Sequence, residues 1–362
     1  MDVYRKRWQR FITSVNKESS VPNFVGKGIV LVAGNKDTFQ RALTTIKLLR
    51  HMHHCDLNIE VWHLSDEKPS ALMINELTAL GATARDLSYS NLPRPIEHRR
   101  DADKQFQIKA AAIINSAFKE VLYLDSDNIP ARDPTFLFDT PEYKETGALF
   151  WPDFWKTHGE NKIFEILQIS CNDEWEQESG QMVINKEKSW LPLQLAWYMQ
   201  DQYEIYFQFL NGDKDTFKYA WQALSAPYHM VETFLGMAGT MVGDRFCGHT
   251  MIQYYPSTTE DYLLFVHANL LKITDKQNFI KPNPGMPNNI EHPWDLVKRS
   301  TFSHSNTWIK PEFYVSGNGQ ACMDFTHREG EPDAITENFD RILPELQNNY
   351  FKFGGIGGET RQ

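Results

Sequence analysis

A short apolar run meets a pair of acidic residues at Val121-Leu-Tyr-Leu-Asp125-Ser-Asp127-Asn-Ile-Pro130. Four apolar residues with branched and aromatic side chains, bounded by Asp and Pro, are typical of a buried strand in a parallel sheet. Side chains at the carboxyl end of such a strand face the crevice where open α/β sheets bind their ligands. The stretch therefore predicts a central strand that ends at a binding crevice.

Asp125 and Asp127 stand one residue apart directly after this strand. Two carboxylates so close together repel each other unless a cation lies between them, and oxygen ligands suit Mg²⁺ or Mn²⁺. The run Asp-Ser-Asp-Asn is also ordinary turn chemistry, because short polar side chains hydrogen-bond to their own backbone. On position alone, a divalent metal site and a simple turn both stay open.

The composition limits the kind of protein this is. At 362 residues the chain can form one large α/β domain or two smaller ones. The net charge of −10 argues against nucleic-acid binding, where a basic face supplies most of the affinity. No uninterrupted run of about 18 apolar residues occurs, so the sequence predicts no membrane-spanning helix.

The cysteines are spread widely, at Cys55, Cys171, Cys247 and Cys322. They form no Cys-x-x-Cys pair, which argues against a zinc site. Their even number permits two disulfides in an oxidising compartment, and four free thiols are an equal alternative.

Strand and helix patterns alternate along the first part of the chain. Apolar runs predict strands at residues 27–34 and 58–64, and helical spacing of apolar residues predicts helices at 38–51, 69–80 and 105–118. Alternation of this kind is typical of a doubly wound nucleotide-binding sheet. The turn at Gly34 and Asn35 would bring backbone amides to the carboxyl edge of that sheet.

The second part of the chain alternates less regularly. Residues 147–152 and 178–185 predict strands, and residues 190–209 predict one long amphipathic helix. Asp213 precedes a further helix, at a position where an aspartate commonly caps free backbone amides. Many Pro and Gly residues interrupt residues 281–289, and the tail beyond them is expected to lack a core of its own.

Five motifs stand in a fixed order along the chain: Lys109 on a helix, Leu124-Asp-Ser-Asp127, Gly180-Gln-Met-Val-Ile-Asn185, Gly212-Asp-Lys-Asp215 and Phe265-Val-His-Ala-Asn-Leu-Leu-Lys272. With this set, the sequence resembles the fungal α-mannosyltransferases of glycosyltransferase family 71 over about residues 28–272. The resemblance implies a GT-A type α/β fold, a Rossmann-like mixed sheet flanked by helices in a single domain with a C-terminal extension. It also implies GDP-mannose as donor, Mn²⁺ as cofactor and retention of the anomeric configuration.

The resemblance further implies which residues bind metal and donor. Asp125, Asp127 and His267 would hold Mn²⁺, or alternatively Mg²⁺, and a neutral imidazole is a reasonable third ligand. For a lone histidine, the alternative is an ordinary core side chain. The donor would contact Gly34, Asn35, Lys109, Ser126, Gln181 and Lys272. For Lys109, the alternative is a lysine that reaches solvent along a small apolar surface.

The catalytic candidates are the carboxylates of Asp213, Asp215 and Glu178. In enzymes of this kind the transition state gains positive charge at the anomeric carbon, which a nearby carboxylate stabilises. The alternatives are a helix cap for Asp213 and a solvated acidic loop for Glu178.

Aromatic residues surround another acidic residue, Asp153, at Trp151, Phe154 and Trp155. Such side chains stack on sugar rings through their apolar faces, and they equally fill protein cores. The sequence leaves both roles open.

These expectations combine into one functional interpretation. The chain is predicted to be a metal-dependent retaining α-mannosyltransferase that uses GDP-mannose and an oligomannose acceptor, and that binds no nucleic acid. Its expected parts are a basic leader (1–25), a nucleotide-sugar-binding half (26–155), an acceptor and catalytic half (156–280) and a C-terminal extension (281–362). The resemblance places it in the Golgi, with membrane association only through a segment outside this sequence. The alternatives are another sugar-nucleotide-dependent hexosyltransferase of this fold, an Asp-x-Asp phosphatase and an inactive glycan-binding relative.

Overall fold

The computed structural model describes residues 1–18, 22–96, 107–257, 262–269, 294–300, 309–316, 321–327 and 334–355. The chain forms two compact units, each assembled from several segments. The first unit comprises Met1–Asn35, Leu57–Asp125 and Thr135–Met230, and the second comprises Lys36–Asp56, Ser126–Pro134 and Val231–Gln362. The division between them therefore falls directly after Asp125.

The described residues form short strands and helices throughout. The strands are β1 (Lys27–Val32), β2 (Asn58–His63), β3 (Ala82–Asp86), β4 (Glu120–Leu124), β5 (Asn128–Pro130), β6 (Ala148–Lys156), β7 (Trp175–Asn185), β8 (His229–Met230), β9 (Gly236–Val242), β10 (Arg245–Tyr254), β11 (Leu263–His267), β12 (Leu296–Arg299), β13 (Ile309–Val315), β14 (Ala321–His327) and β15 (Ile335–Asn338). The helices are α1 (Asp2–Glu18), α2 (Lys36–Lys47), α3 (Ala71–Ala79), α4 (Gln107–Asn115), α5 (Pro141–Thr146), α6 (Lys162–Leu167), α7 (Trp190–Asp201), α8 (Tyr203–Tyr206), α9 (Lys214–Ala223), α10 (Phe339–Ile342) and α11 (Leu346–Lys352). None of these helices is long and apolar enough to cross a membrane.

The first unit is built on a mixed sheet with the strand order β3-β2-β1-β4-β7-β6-β8 among the described residues. Strands β1 to β4 run parallel, and β7 runs antiparallel to β4 and to β6. Residues Val121–Leu124 of β4 are fully buried, as expected for a central strand covered on both faces. The predicted fold class, a Rossmann-like mixed sheet flanked by helices, is confirmed.

A layer of helices covers the sheet of the first unit. Helix α4 packs against α7, and α7 packs against α1 and α9. Residues Ala110–Ile114 of α4 are completely buried, which fits the unbroken apolar run in this part of the helix. Lys186 donates hydrogen bonds to the backbone oxygens of Ile114 (3.3 Å) and Ser116 (2.6 Å), so its buried amino group satisfies carbonyls at the end of α4.

The long helix predicted at residues 190–209 is wrong in its length. Helix α7 ends at Asp201, and the short helix α8 begins at Tyr203. The backbone of Gln202 between them leaves the helical region, with φ −91° and ψ 37°. No Pro or Gly marks this break, so composition gave no signal for it.

The second unit is built on an antiparallel sheet with the order β13-β14-β10-β9-β12-β15 within the described residues. Strand β11 extends it by pairing with β10 and with β5, which begins at Asn128, directly after the acidic pair. The tail beyond residue 281 was expected to lack a core of its own, and its described apolar residues join a cluster that they share with earlier strands. Its Trp294, Phe339 and Tyr350 are buried in one cluster with Ile252 and Val266.

One disulfide joins Cys247 on β10 to Cys322 on β14. Cys55 is a buried free thiol and Cys171 is an exposed one. The sequence left two alternatives open, two disulfides or four free thiols, and neither is correct. Cysteine spacing does not reveal which strands become neighbours.

We expect this disulfide to stabilise the second unit, since it links positions 75 residues apart in the sequence. The double variant Cys247→Ala/Cys322→Ala should lower the free energy of unfolding by about 2–5 kcal/mol, through loss of a cross-link that restrains the unfolded chain. Denaturant titration measures this change. Cys171→Ser, at an exposed free thiol, is the control and should leave the value within about 0.5 kcal/mol. Equal stability of the double variant and the control would contradict the prediction.

Candidate active site

The end of strand β4 is fixed by hydrogen bonds to its neighbours. Leu124 is paired with Gln181 of β7, and the backbone amide of Asp125 donates to the carbonyl oxygen of Gly180 at 2.8 Å. The Tyr123 hydroxyl donates to Oδ1 of Asp125 at 2.7 Å. The carboxylate of Asp125 is thus held in one orientation at the carboxyl end of the strand.

Lys109, on α4, lies beside this carboxylate. Its ammonium is 3.2 Å from Oδ2 of Asp125 and 3.2 Å from Oδ2 of Asp213. It also donates hydrogen bonds to Ser179, at 3.0 Å to the backbone oxygen and 2.9 Å to Oγ. These contacts, called the Lys109 centre below, connect α4, β4, β7 and the residue before α9. Lys109 therefore points to anionic groups, and the alternative of a lysine that reaches solvent is wrong.

The charges of the Lys109 centre are largely shielded from solvent, and its one ammonium faces two carboxylates. Burial alone would lower the pKa of Lys109, but Asp125, Asp213 and Glu178 raise it above its ordinary value. Burial raises the pKa of Asp213, and the Lys109 ammonium opposes that shift. Lys109 consequently remains a cation that offsets the charge of two carboxylates.

Asp213 occupies the cap position of α9 without capping the helix through its side chain. The side chain pairs with Lys109 instead, which leaves the predicted helix-cap alternative unsupported. Glu178 is buried on β7, where its Oε1 accepts the backbone amide of Gly180 at 2.5 Å. The solvated-loop alternative for Glu178 is therefore wrong.

A second buried lysine, Lys214, follows Asp213 directly. Its ammonium lies 3.0 Å from Oδ2 of Asp153 and 2.9 Å from Oδ2 of Asp215, and it also pairs with Glu176. Asp215 in turn accepts the backbone amide of Gln177 at 2.8 Å through Oδ1. This cluster, called the Lys214 cluster below, fixes the start of α9 to β6 and β7.

Asp153, Glu176 and Lys214 were not among the predicted site residues. The sequence signal that pointed to this cluster was Asp153 itself. A charged residue within a largely apolar strand needs a buried partner. Around it, Trp151 and Phe154 are buried and belong to the core, whereas Trp155 is 41% exposed.

The remaining predicted donor residues of the first unit are Gly34, Asn35 and Gln181. Gly34 follows β1 in a tight position, since a Cβ there would lie 2.3 Å from Oε2 of Glu67. Asn35 is exposed, and Gln181 is completely buried in the pairing of β7 with β4.

The second unit contains Ser126, Asp127 and His267. Nε2 of His267 lies 3.3 Å from Oδ1 of Asp127, and both side chains are buried. The pairing of β11 with β5 produces this proximity, because it sets His267 opposite Asn128. Lys272 lies outside the described residues.

The chemistry of this donor set fits a divalent cation. Asp127 and His267 present a carboxylate oxygen and an imidazole nitrogen to each other, and Asp125 precedes Asp127 by two positions in the chain. Two carboxylates with one imidazole suit Mn²⁺ and related ions, whereas a set rich in thiolates would suit zinc.

Comparison with known proteins places the chain in a family. A model of the Mannosyl_trans3 family of mannosyltransferases matches residues 26–177 and 172–255. The chain belongs to this mannosyltransferase family. The predicted resemblance to fungal mannosyltransferases is confirmed.

Curated relatives of this family member are fungal enzymes. The alpha-1,2-mannosyltransferase MNN21 of Candida albicans is 30% identical over 291 residues, covering 65% of this chain and 44% of that protein. The alpha-1,2-mannosyltransferase MNN2 of Saccharomyces cerevisiae is 26% identical over 293 residues, covering 68% and 48%. The chain spans about half the length of these relatives.

Solved structures resemble this family member more distantly. The galactosyltransferase LgtC, in complex with donor and acceptor sugar analogues, is 17% identical with a TM-score of 0.38, covering 54% of this chain and 70% of that one. The Mn/GDP form of core-mannan synthase A from Aspergillus fumigatus is 9% identical with a TM-score of 0.36, covering 59% and 74%. Both TM-scores are low, and the fold class rests on the sheet topology of the chain itself.

We expect the change Lys214→Met to destabilise the first unit strongly. It would leave the buried carboxylates of Asp153, Glu176 and Asp215 without their shared cation. Breaking a buried ion pair from one side costs about 3–5 kcal/mol, which denaturant titration at neutral pH measures. The control Lys162→Met removes an exposed lysine that lies 3.7 Å from Glu165 and should cost less than about 1 kcal/mol. Similar losses in both variants would contradict the structural role of Lys214.

The raised pKa of Asp153 predicts that the stability of the protein depends on pH. Burial raises its pKa to about 6, with Glu178 adding to the shift and Lys214 opposing it. The folded state then holds a proton that the unfolded state has released, so the free energy of unfolding falls as the pH rises from about 4 to about 6, by up to about 3 kcal/mol. In Asp153→Asn this pH-dependent part of the free energy of unfolding should be absent, whereas the exposed control Asp139→Asn should retain it. The prediction fails if Asp153→Asn and the unaltered chain show the same pH profile in denaturant titration.

Proposed function

We propose that this chain is a metal-dependent retaining α-mannosyltransferase. It would move mannose from GDP-mannose to a mannose-terminated glycan, of the fungal cell-wall mannan or of a protein. The observation that carries the proposal is the Lys109 centre, where a buried cation pairs with Asp125 at the end of β4 and with Asp213 before α9. A carboxylate at a strand end can bind the metal counterion of a diphosphate, and a fixed cation beside it can contact the phosphate oxygens. Membership of a mannosyltransferase family supports mannose as the transferred sugar.

The proposed metal ligands are Asp125, Asp127 and His267, each of which offers one ligand atom. Mn²⁺ is the proposed ion and Mg²⁺ the alternative. When bound, the ion would act as a Lewis acid that offsets the charge of the departing diphosphate. The support within the second unit is the 3.3 Å approach of Asp127 and His267 in a buried place.

The proposal also names the residues that would contact the donor. Lys109 would add positive charge beside the diphosphate, since it is held as a cation by its carboxylate partners. Ser126 and Gln181 would hydrogen-bond the donor, and Gln181, which is completely buried here, would have to be exposed by donor binding. The backbone at Gly34 and Asn35 would approach the nucleotide, and Lys272 would contact phosphate. These assignments come from the order of the motifs along the chain.

Among the catalytic candidates, Asp213 is proposed to act directly. Its carboxylate would stabilise the positive charge that develops at the anomeric carbon. Asp215 is bound to Lys214 and to the backbone of Gln177, and Glu178 is bound to the backbone of Gly180. We therefore propose that Asp215 and Glu178 shape the catalytic site around Asp213. The acceptor hydroxyl would attack from the face that the nucleotide leaves, and a leaving phosphate oxygen would take its proton.

The alternatives differ in what they would transform or bind. Another hexosyltransferase of this fold would turn over a different sugar nucleotide, a phosphatase would release phosphate from an aryl phosphate, and an inactive relative would bind glycans without a donor. The proposed location is the Golgi. The disulfide between Cys247 and Cys322 supports an oxidising compartment.

The proposal predicts metal-dependent turnover of GDP-mannose with a mannobioside acceptor. EDTA should abolish product formation, and Mn²⁺ should restore it. Asp127→Asn should reduce kcat/KM by at least about 100-fold, because it removes a charged ligand from the proposed metal site. The matched control Asp139→Asn changes an exposed aspartate that pairs with Lys27 and Lys144, and should keep full activity.

Three results would contradict the proposal. Turnover that is unaffected by EDTA would reject the metal assignment. Turnover of another sugar nucleotide in place of GDP-mannose would favour a different hexosyltransferase. Release of phosphate from an aryl phosphate without sugar transfer would favour the phosphatase.

A further inference from the structure

The second unit contains a cavity of about 230 Å³ that none of the proposed catalytic residues lines. Its wall combines cations, aromatic rings and one carboxylate with apolar side chains, and includes Arg132, Tyr254, Tyr262, Val297, Arg299 and Glu337. The volume is many times that of a water molecule, which occupies about 30 Å³ in the liquid. It is too small for a nucleotide sugar and suits a small polar ligand.

Arg132 is the distinctive residue of this cavity. Its guanidinium lies 3.9 Å from the centre of the Tyr262 ring. Within the part of the chain that the structure describes, its side chain forms no hydrogen bond or salt bridge, and its Nε is shielded from solvent without an acceptor. A guanidinium carries five donors in a fixed plane, and a buried donor without an acceptor costs about 1–3 kcal/mol. The Tyr262 ring holds this donor group in place beside the cavity.

The carboxylate of Glu337 is already engaged by other arginines. Nε of Arg299 lies 3.0 Å from its Oε2, and the Arg341 guanidinium lies 2.9 Å from its Oε1. These hydrogen bonds lower the pKa of Glu337, so it stays ionised and offsets the charge of Arg299. Among the described residues that line the cavity, no second carboxylate offsets the charge of Arg132.

We propose that this cavity binds an oxyanion, the phosphate group of a small ligand, through the guanidinium of Arg132. A planar guanidinium matches the geometry of phosphate with two parallel hydrogen bonds, and such charge-assisted bonds are among the strongest in proteins. The apolar side of the wall, which includes the partly exposed Ile342, would accept the ring of an attached sugar. The source of the oxyanion is either free phosphate or a phosphorylated sugar. This site would lie outside the donor and metal machinery proposed above.

Phosphate binding to the full chain tests this inference, with EDTA present throughout so that the proposed metal site contributes nothing. Thermal unfolding at constant ionic strength would be followed against inorganic phosphate. Calorimetric titration would then compare mannose 6-phosphate with mannose. Arg132→Gln removes the cation, and Lys310→Gln is the charge-matched control at an exposed lysine of the same unit.

We expect phosphate and mannose 6-phosphate to bind the unaltered chain and Lys310→Gln alike, with much weaker binding of mannose. In Arg132→Gln the affinity should fall by at least about tenfold, as expected from loss of a hydrogen bond to a charged group. Arg132→Lys, which keeps the charge and loses the planar fork, should give an intermediate affinity and serves if Arg132→Gln does not fold. A stronger response to mannose 6-phosphate than to phosphate would identify the phosphorylated sugar as the source.

Several outcomes would overturn the inference. Equal phosphate responses of Arg132→Gln and the unaltered chain would show that Arg132 binds no oxyanion. Equal affinities for mannose and mannose 6-phosphate would show a site for neutral sugar. A loss in Lys310→Gln as large as that in Arg132→Gln would show general charge screening.

Discussion

The candidate site depends on the ion pairs that the Lys109 ammonium forms with Asp125 and Asp213. Burying a carboxylate costs several kcal/mol unless a counter-charge and hydrogen bonds accompany it. Lys109 supplies that charge to Asp125 and Asp213 at once, while Ser179 takes its remaining donors. Two acidic residues from distant parts of the sequence can therefore lie beside one lysine, largely shielded from solvent, in the first unit.

The Lys214 cluster repeats this arrangement one residue further along the chain. Asp213 and Lys214 are sequence neighbours, yet one pairs with α4 and the other with carboxylates on β6 and β7. The start of α9 is consequently held from two sides by ion pairs. Asp213 thereby acquires a fixed position, which a carboxylate needs if it is to stabilise charge on a bound sugar.

The sequence predicted the parts of the fold that local patterns govern. The parallel strands β1, β2 and β4 and the helices between them follow from apolar periodicity, and family membership confirms the resemblance carried by the ordered motifs. The proximity of Asp127 and His267 followed from the same resemblance and is present within the second unit. The division into four consecutive parts stays a prediction.

Contacts between distant residues escaped the sequence analysis for a physical reason. The partners of Asp153 lie on other elements, and no local pattern distinguishes a carboxylate that will meet Lys214 from a solvated one. The disulfide was missed in the same way, because Cys247 and Cys322 become neighbours only when β10 and β14 pair. No local pattern showed that apolar residues of the tail, such as Trp294 and Tyr350, would join a cluster shared with earlier strands.

The most direct test of the central claim is the position of a bound metal ion. Crystals grown with Mn²⁺ and GDP would be measured at the manganese absorption edge, where anomalous scattering identifies the ion. The account predicts one anomalous peak bonded to the carboxylates of Asp125 and Asp127 and to the His267 imidazole, with the nucleotide diphosphate beside it. Bound GDP with no peak at these three side chains would contradict the account.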